Sequence, residues 1–315
     1  MRTKKTAVGS GLKTGRRGIL YELKSNKCLY LMALPVALYY IIFCYMPMYG
    51  ASIAFKQYDV SKGIMGSEWV GFKYFIEFFQ GVYFVRILRN TLILSIYDLM
   101  VCFPLPIIFA LLMNELKSLK FKKTVQTITY LPHFISMVVV CGMIVDFFSS
   151  DGLITDLLVK LGMPKMNYVG SNDYFRHIYV WTDAWKTIGW GSIIYMAALS
   201  GVDQALYEAA RIDGANRFQL AIHVTLPGIA STIVVMLILK IGNIMSLGYE
   251  KIILLYGPAT YETADIISSF VYRYGLTGMK YSYSTAVGLF QSVINLILIV
   301  GSNTLSKKIT EMGIY

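Results

Sequence analysis

The chain has 315 residues, of which 56% are hydrophobic and 15% charged, with a mean hydropathy of +0.56. A water-soluble domain carries about a quarter charged residues, so an ordinary soluble fold is excluded and a membrane-embedded chain is indicated. The net charge of +11 would suggest nucleic acid in a soluble protein; in a membrane protein it reports topology, because cytoplasmic segments retain Lys and Arg.

In chain order, residues 1–27 form a basic segment that includes Lys4, Lys5, Lys13, Arg16, Arg17, Lys24 and Lys27. It reads as a solvated cytoplasmic tail, with no nucleic acid as partner. A spanning helix needs about 20 mostly apolar residues, at about 1.5 Å of rise each. Six segments meet or approach that length: 29–49, 88–113, 131–148, 180–200, 228–247 and 285–302. The first has no small-residue cleavage site behind it, so it is expected to remain as a spanning helix. The outer loop 51–87 contains EWVGFKYFIEFF, which predicts a short interfacial helix anchored by Trp69, Phe72, Phe75 and Phe79. Pro104 and Pro106 predict a kink in the second span.

With an even number of spans and the N-terminus inside, the inner segments hold 16 Lys and Arg and the outer loops 10. Both termini and the loop 201–227 are therefore assigned to the cytoplasm. The expected architecture is an all-α membrane protein: one transmembrane domain over 28–305 and a cytoplasmic tail at 306–315.

Cys28, Cys44, Cys102 and Cys141 show no paired spacing, and His133, His177 and His223 are scattered, so no disulfide framework or metal site is expected. The chain carries no GxxxxGK[ST] phosphate loop, GxSxG or HExxH. It is thus expected to be neither an ATPase nor another enzyme. GWGSII at 189–194 lies within a span and reads as a helix-packing stretch.

The informative segment is the loop between spans four and five, VDQALYEAARIDGANRFQLAIHVTLPGI, residues 202–229. Residues 205–211, ALYEAAR, are helix formers, and Gly214 can take the left-handed conformation that ends a helix. A second helix is expected from about Asn216 to Val224, with Pro227 opening the next span. Ala209 and Ala210 permit close approach by another protein, and Glu208 and Arg211 offer charges for docking.

The order Glu208-Ala209-Ala210, three residues, Gly214, nine residues, Val224-x-Leu226-Pro227 resembles the EAA loop of permease subunits of bacterial ABC importers. Val224 stands where that family usually has Ile. The first span and its exit, ALPVALYYIIFCYMPMYGASIAFKQYD, and the following WVGFKYF resemble the permeases for complex polysaccharide and oligosaccharide uptake. The resemblance implies a type I importer fold with six helices, working by alternating access. It also implies a second, similar permease, two cytoplasmic ATPases, an extracellular solute-binding protein and an oligosaccharide substrate. The coupling residues carried over are Tyr207, Glu208, Ala209, Ala210, Arg211, Asp213, Gly214, Leu226 and Pro227, with Glu208 pairing a basic residue of the ATPase. The chain would bind no cofactor itself; ATP and Mg would sit on the partner ATPase.

Ionisable residues within spans are costly and mark functional sites by default. Asp146, Asp183 and Lys186 lie near predicted outer ends, where interfacial solvation suffices. Asp98 and Lys240 lie deeper. Lys240 shares a predicted helical face with Met236, Asn243 and Leu247, so Lys240 and Asn243 are candidates to bind sugar hydroxyls or a uronate carboxylate; a buried pair that only fixes packing is the competing expectation. Tyr195, Trp190, Trp185 and Tyr249 are candidates for stacking on sugar faces. A different class, an ion-coupled secondary transporter using Asp98 and Lys240, would leave the 202–227 loop without a role.

Overall fold

The computed structural model describes residues 27–310. The basic N-terminal segment before Lys27 and the last five residues lie outside the described part. The chain divides into two compact units, one ending at Ser52 and one beginning at Ile53.

The first unit contains helix α1, Lys27–Tyr39, which continues through a wider turn at Tyr40–Tyr45. None of its residues is buried. Together with the following turns it forms an apolar run of 29 residues, Lys27–Phe55.

The second unit opens with two short antiparallel strands, β1 (Lys56–Gln57) and β2 (Glu68–Trp69), pairing Lys56 with Trp69 and Gln57 with Glu68. This corrects the expectation of one interfacial helix. Val70 and Gly71 donate to the Phe55 carbonyl, and Gly71 has φ of +60°, a backbone state that favours glycine. Helix α2, Lys73–Gln80, therefore starts only after it. The rings of Trp69, Phe72 and Phe75 all pack on Phe55.

The second span is two helices, α3 (Phe84–Cys102) and α4 (Pro104–Asn114), interrupted at Phe103. Pro104 lacks the N–H that would continue α3, but it suits the first position of a new helix. The third span departs from its predicted window. Helix α5, Leu119–Phe134, ends in mid-window, and Ser136 caps a new helix, α6 (Met137–Phe148), by accepting from the Val139 N–H. Helix α7 follows at Leu153–Lys160.

Helix α8, Phe175–Ser200, is the central element and packs against α3, α4 and α5. Its 26 residues extend about 39 Å at 1.5 Å each. A Cβ at Gly189 would collide with the Thr129 carbonyl, and one at Gly191 would lie 3.2 Å from Pro106, so GWGSII forms a close helix crossing. Beyond the loop come α9 (Gln204–Ile212), α10 (Arg217–Leu220) and α11 (Ala230–Gly242). The stretch Arg217–Gly228 meets α11 at a bend of 66°.

The apolar pattern predicts that span five reaches 247, but α11 stops at Gly242 and the chain runs unwound to helix α12, Tyr249–Leu255. Helix α13, Ile267–Tyr272, and the long α14, Tyr281–Thr310, complete the unit. Four described helical runs are long and apolar enough to cross a membrane, five if the bent pair counts as one.

Three apolar clusters hold this unit. One surrounds the first half of α8 through Tyr179, Val180, Ile144 and Ile252. A second lies at its other end, around Tyr195, Leu199, Val202, Tyr207 and Leu220. The third joins Phe78, Ile87, Phe270 and Val287.

Candidate functional site

The 202–227 loop is a rigid helical knob built by local chemistry. The Asp203 side chain caps α9 by accepting from the Ala205 N–H at 2.9 Å. Gly214, at φ +82°, ends it; a Cβ there would meet nothing within 4 Å, so the requirement is conformational rather than steric. Asn216 and Gln219 then form a reciprocal capping box at 2.8 and 2.9 Å that starts α10. The second helix is shorter than predicted: after Leu220 the backbone widens over Ala221–Thr225 before the turn Leu226–Gly228, which contains Pro227.

Tyr207 is buried, and its hydroxyl donates to Thr225 Oγ1 at 3.1 Å; Thr225 in turn donates to the Leu220 carbonyl. Across 18 residues this ties α9 to the start of span five. Leu226 is half-buried, and Gly228 brings its backbone against Val202. The outward face carries Glu208, Ala209, Arg211 and Asp213, all exposed, with Ala210 half-buried behind them. Leu206, Phe218 and Ile212 also project into the open, Ile212 at 86% exposure.

A second cluster lies along the broken span. Lys240 Nζ is 2.7 Å from Asp98 Oδ2, joining α11 to α3. The two candidates singled out separately in the sequence are thus partners, as a buried carboxylate requires. Beside them Lys251 bonds Asp183 Oδ1 at 3.2 Å and the Tyr179 carbonyl at 2.8 Å, with its ammonium 4.6 Å over the Tyr179 ring. All four ionisable groups, with Asn243 and Ser95, line one cavity of about 230 Å³. Two acids face two lysines, so the cavity is formally neutral. Asp98, Cys102 and Asp183 present ligand atoms within 4.8 Å of one another, but both carboxylates are already engaged by lysines.

The unwound segment after α11 takes its bonds from other helices. Ser95 donates to the Ile244 carbonyl, Gln291 to the Met245 carbonyl at 2.7 Å, and the Met245 N–H donates to Asn295 Oδ1 at 3.2 Å. Irregular backbone inside a membrane is tolerable only when satisfied in this way.

The other candidate residues fall elsewhere. Asn243 ends α11 and lines the ion-pair cavity, but Leu247 lies beyond the helix, so the single helical face expected through Leu247 does not form. Tyr195 is 3% exposed and packs beneath the 202–227 knob; it is a core residue there and lines no part of the ion-pair cavity. Trp190 stacks on His133 at 4.5 Å, and Trp185 is exposed. Tyr249 lines a different cleft. Lys186 is buried, contrary to the expected interfacial solvation, and donates to the Pro132, His133 and Ile135 carbonyls at the end of α5. Asp146 is exposed.

Sequence reasoning missed Lys251, which stands in an expected outer loop. It also missed Asp265, fully buried and held by Arg273 at 2.6 Å and Arg86 at 3.4 Å. Burial opposes the charge on Arg273, yet its bonds to Asp265 outweigh this and raise the guanidinium pKa above its ordinary value. Asn90 donates to the Glu262 and Asp265 carbonyls, so the group fastens residues 262–273 to α3.

A helical knob tied to a broken, polar-lined helical bundle is the architecture of a transport permease. Residues 76–311 match the family described as the binding-protein-dependent transport system inner membrane component, and the chain belongs to that family. It is a permease subunit of an ABC importer, a multi-pass membrane protein and not an enzyme. Protein LplB of Bacillus subtilis (strain 168) is 46% identical over 305 residues, covering 96% of each chain. The polygalacturonan/rhamnogalacturonan transport system permease protein YteP of the same organism is 46% identical over 304 residues, covering 96% of this chain and 95% of that protein. Among solved structures, a bacterial alginate ABC transporter in complex with an alginate pentasaccharide-bound periplasmic protein contains a chain of 42% identity and TM-score 0.87. That match covers 95% of this chain and 100% of the other. A crystal structure of a bacterial ABC transporter that imports the acidic polysaccharide alginate gives 43% identity and TM-score 0.86, covering 93% and 99%. Ion-coupled secondary transport is not favoured, since the family is that of binding-protein-dependent systems.

Proposed function

We propose that this chain is one permease half of an ATP-driven importer of acidic oligosaccharides, with six spans and both termini in the cytoplasm. The fourth span is α8, whose charged Asp183 and Lys186 are both engaged inside the protein. The observation that carries the coupling role is the exposed Glu208, Ala209 and Arg211 face on a knob locked to span five through Tyr207 and Thr225. That face docks in a cytoplasmic ATPase, Glu208 pairing a basic residue there, with ATP and Mg held by the ATPase. Two ATPases, a second similar permease and an extracellular solute-binding protein complete the assembly. Closure of the ATPase dimer pushes the knob, and the Tyr207–Thr225 link transmits the push to span five, switching the pathway by alternating access. The names of the similar proteins, which concern polygalacturonan, rhamnogalacturonan and alginate, support an acidic oligosaccharide. Lys240, whose side chain is 41% exposed, and Asn243 are assigned to its hydroxyls or carboxylates.

The test is co-purification with candidate ATPase and second-permease subunits, followed by binding-protein-stimulated ATP hydrolysis. The native chain is expected to assemble, and Glu208→Ala and Gly214→Pro to weaken both readouts. A native chain that assembles with no ATPase, yet moves solute on an ion gradient, overturns the proposal.

A further inference from the structure

Resting on the oligosaccharide reading, we propose that a second cleft, separate from the ion-pair cavity, is a subsite for an uncharged sugar face. It lies between α12, α13 and the first half of α14 and has a volume of about 610 Å³, within the roughly 300–1,000 Å³ usual for small-molecule sites. Among the described residues no charged side chain lines it, in contrast to the ion-pair cavity. Its walls are mainly apolar with a few polar groups, the composition typical of a specific pocket.

Three features point to a carbohydrate ring. The rings of Tyr249 and Tyr272 lie 6.1 Å apart, tilted by 31°, and both reach the cleft; aromatic faces suit the C–H face of a pyranose. Ser284 also lines the cleft and is 5% exposed, yet its Oγ is buried with no hydrogen-bond partner among the described residues. Buried hydroxyls are normally satisfied; rotation of the Ser284 side chain toward the cleft would let a ligand hydroxyl supply the missing bond. Gly275 packs against this side chain, since a Cβ there would lie 2.8 Å from Ser284 Cβ and 2.9 Å from its Oγ. Finally, Gln291 commits its Nε2 to the Met245 carbonyl and the Ser268 and Ser246 hydroxyls, which fixes the amide and leaves Oε1 as an acceptor.

The two cavities adjoin. Ser246 lines the ion-pair cavity and accepts from Gln291, which lines this cleft, and Tyr249 follows Gly248 directly. One oligosaccharide can therefore present a carboxylate to Lys240 and a ring face to the tyrosines. The division assigns charge recognition and ring recognition to different side chains of one path.

The experiment is uptake by the complete importer in proteoliposomes, with its binding protein, using alginate pentasaccharide and rhamnogalacturonan oligosaccharides as probes. Tyr249→Leu and Ser284→Ala are expected to raise the half-saturating concentration roughly three- to tenfold, the scale of one lost contact, by a larger factor than they lower the maximal rate. Tyr249→Phe, which keeps the ring, is expected to restore most of the affinity. Unchanged half-saturation in both variants, beside normal native uptake, overturns the subsite alone. An equal loss with Tyr249→Phe, accompanied by poor assembly, marks a packing role and also overturns it. Native protein that takes up neither probe overturns the oligosaccharide reading, and the subsite with it.

Discussion

Lys240 Nζ and Asp98 Oδ2 lie 2.7 Å apart, so the last turn of the helix before the break in span five is held by a carboxylate of span two. The carboxylate is 7% exposed and the lysine 41%. Their attraction is therefore only partly screened, and loss of the lysine strands a buried charge. Lys240→Met is expected to destabilise the solubilised permease by about 2 kcal/mol, below the 3–5 kcal/mol typical of a fully buried pair. The double variant Lys240→Met with Asp98→Asn should recover most of that loss in thermal unfolding. Additive losses would show that the two side chains act independently.

The Tyr207 hydroxyl and the Gly214 backbone should separate coupling from folding. Tyr207→Phe removes one neutral hydrogen bond, worth about 1 kcal/mol, and keeps the ring packed beneath the knob. Binding-protein-stimulated ATP hydrolysis should fall more than thermal stability does. Gly214→Ala meets no steric obstacle but forces a side chain into the left-handed region, at about 1–2 kcal/mol. Its loss should appear directly in the melting midpoint.

Gly189 is placed where α8 crosses α5. Gly189→Leu would drive a side chain into the Thr129 carbonyl, and overpacking of this kind costs about 1–3 kcal/mol. The yield of folded protein in gel filtration should drop sharply, whereas Gly142→Ala, at a site with nothing within 4 Å, should leave it near native.

The Asp151–Lys165 pair, 2.8 Å apart, closes the turn that carries α7. Hydrogen bonding and charge from Lys165 lower the Asp151 pKa, and Asp151 raises that of Lys165. The depressed carboxylate contributes above its ordinary range and loses its contribution as pH falls through its lowered value. The raised lysine contributes below its ordinary range and loses its contribution as pH rises through its elevated value. Hydrogen-exchange protection across residues 149–166, corrected for the intrinsic pH dependence of amide exchange, should therefore be flat between these limits and fall beyond both; Lys165→Met should abolish the acid loss.

The apolar runs and the knob could be read from sequence because both depend on local rules. Apolar runs of spanning length, a glycine at 214 and the EAA pattern each carry their meaning within about 20 residues. The breaks could not be read. Gly242 and Asn243 suit the end of a helix, but within an apolar run they do not reveal that the span breaks there, since the bonds that permit it come from Ser95, Gln291 and Asn295. Lys251 was hidden for the same reason: it stands in a stretch read as an outer loop, and its burial is made tolerable by Asp183 and Tyr179, 68 and 72 residues away. Tyr195 misled because an aromatic on a span looks the same from sequence whether it faces a pathway or the packed base of a loop. Asp98 and Lys240 were both singled out, but their pairing belongs to tertiary structure.

The unwound stretch between α11 and α12 also constrains biogenesis. Two of the side chains that complete its backbone, Gln291 and Asn295, belong to α14, the last helix in the sequence. A nascent chain that has inserted span five still lacks them. The bend that positions Lys240 and Asn243 can settle only when the final helix arrives, so a truncation before residue 291 would leave Asp98, Lys240, Asn243 and Tyr249 present but the pathway unassembled.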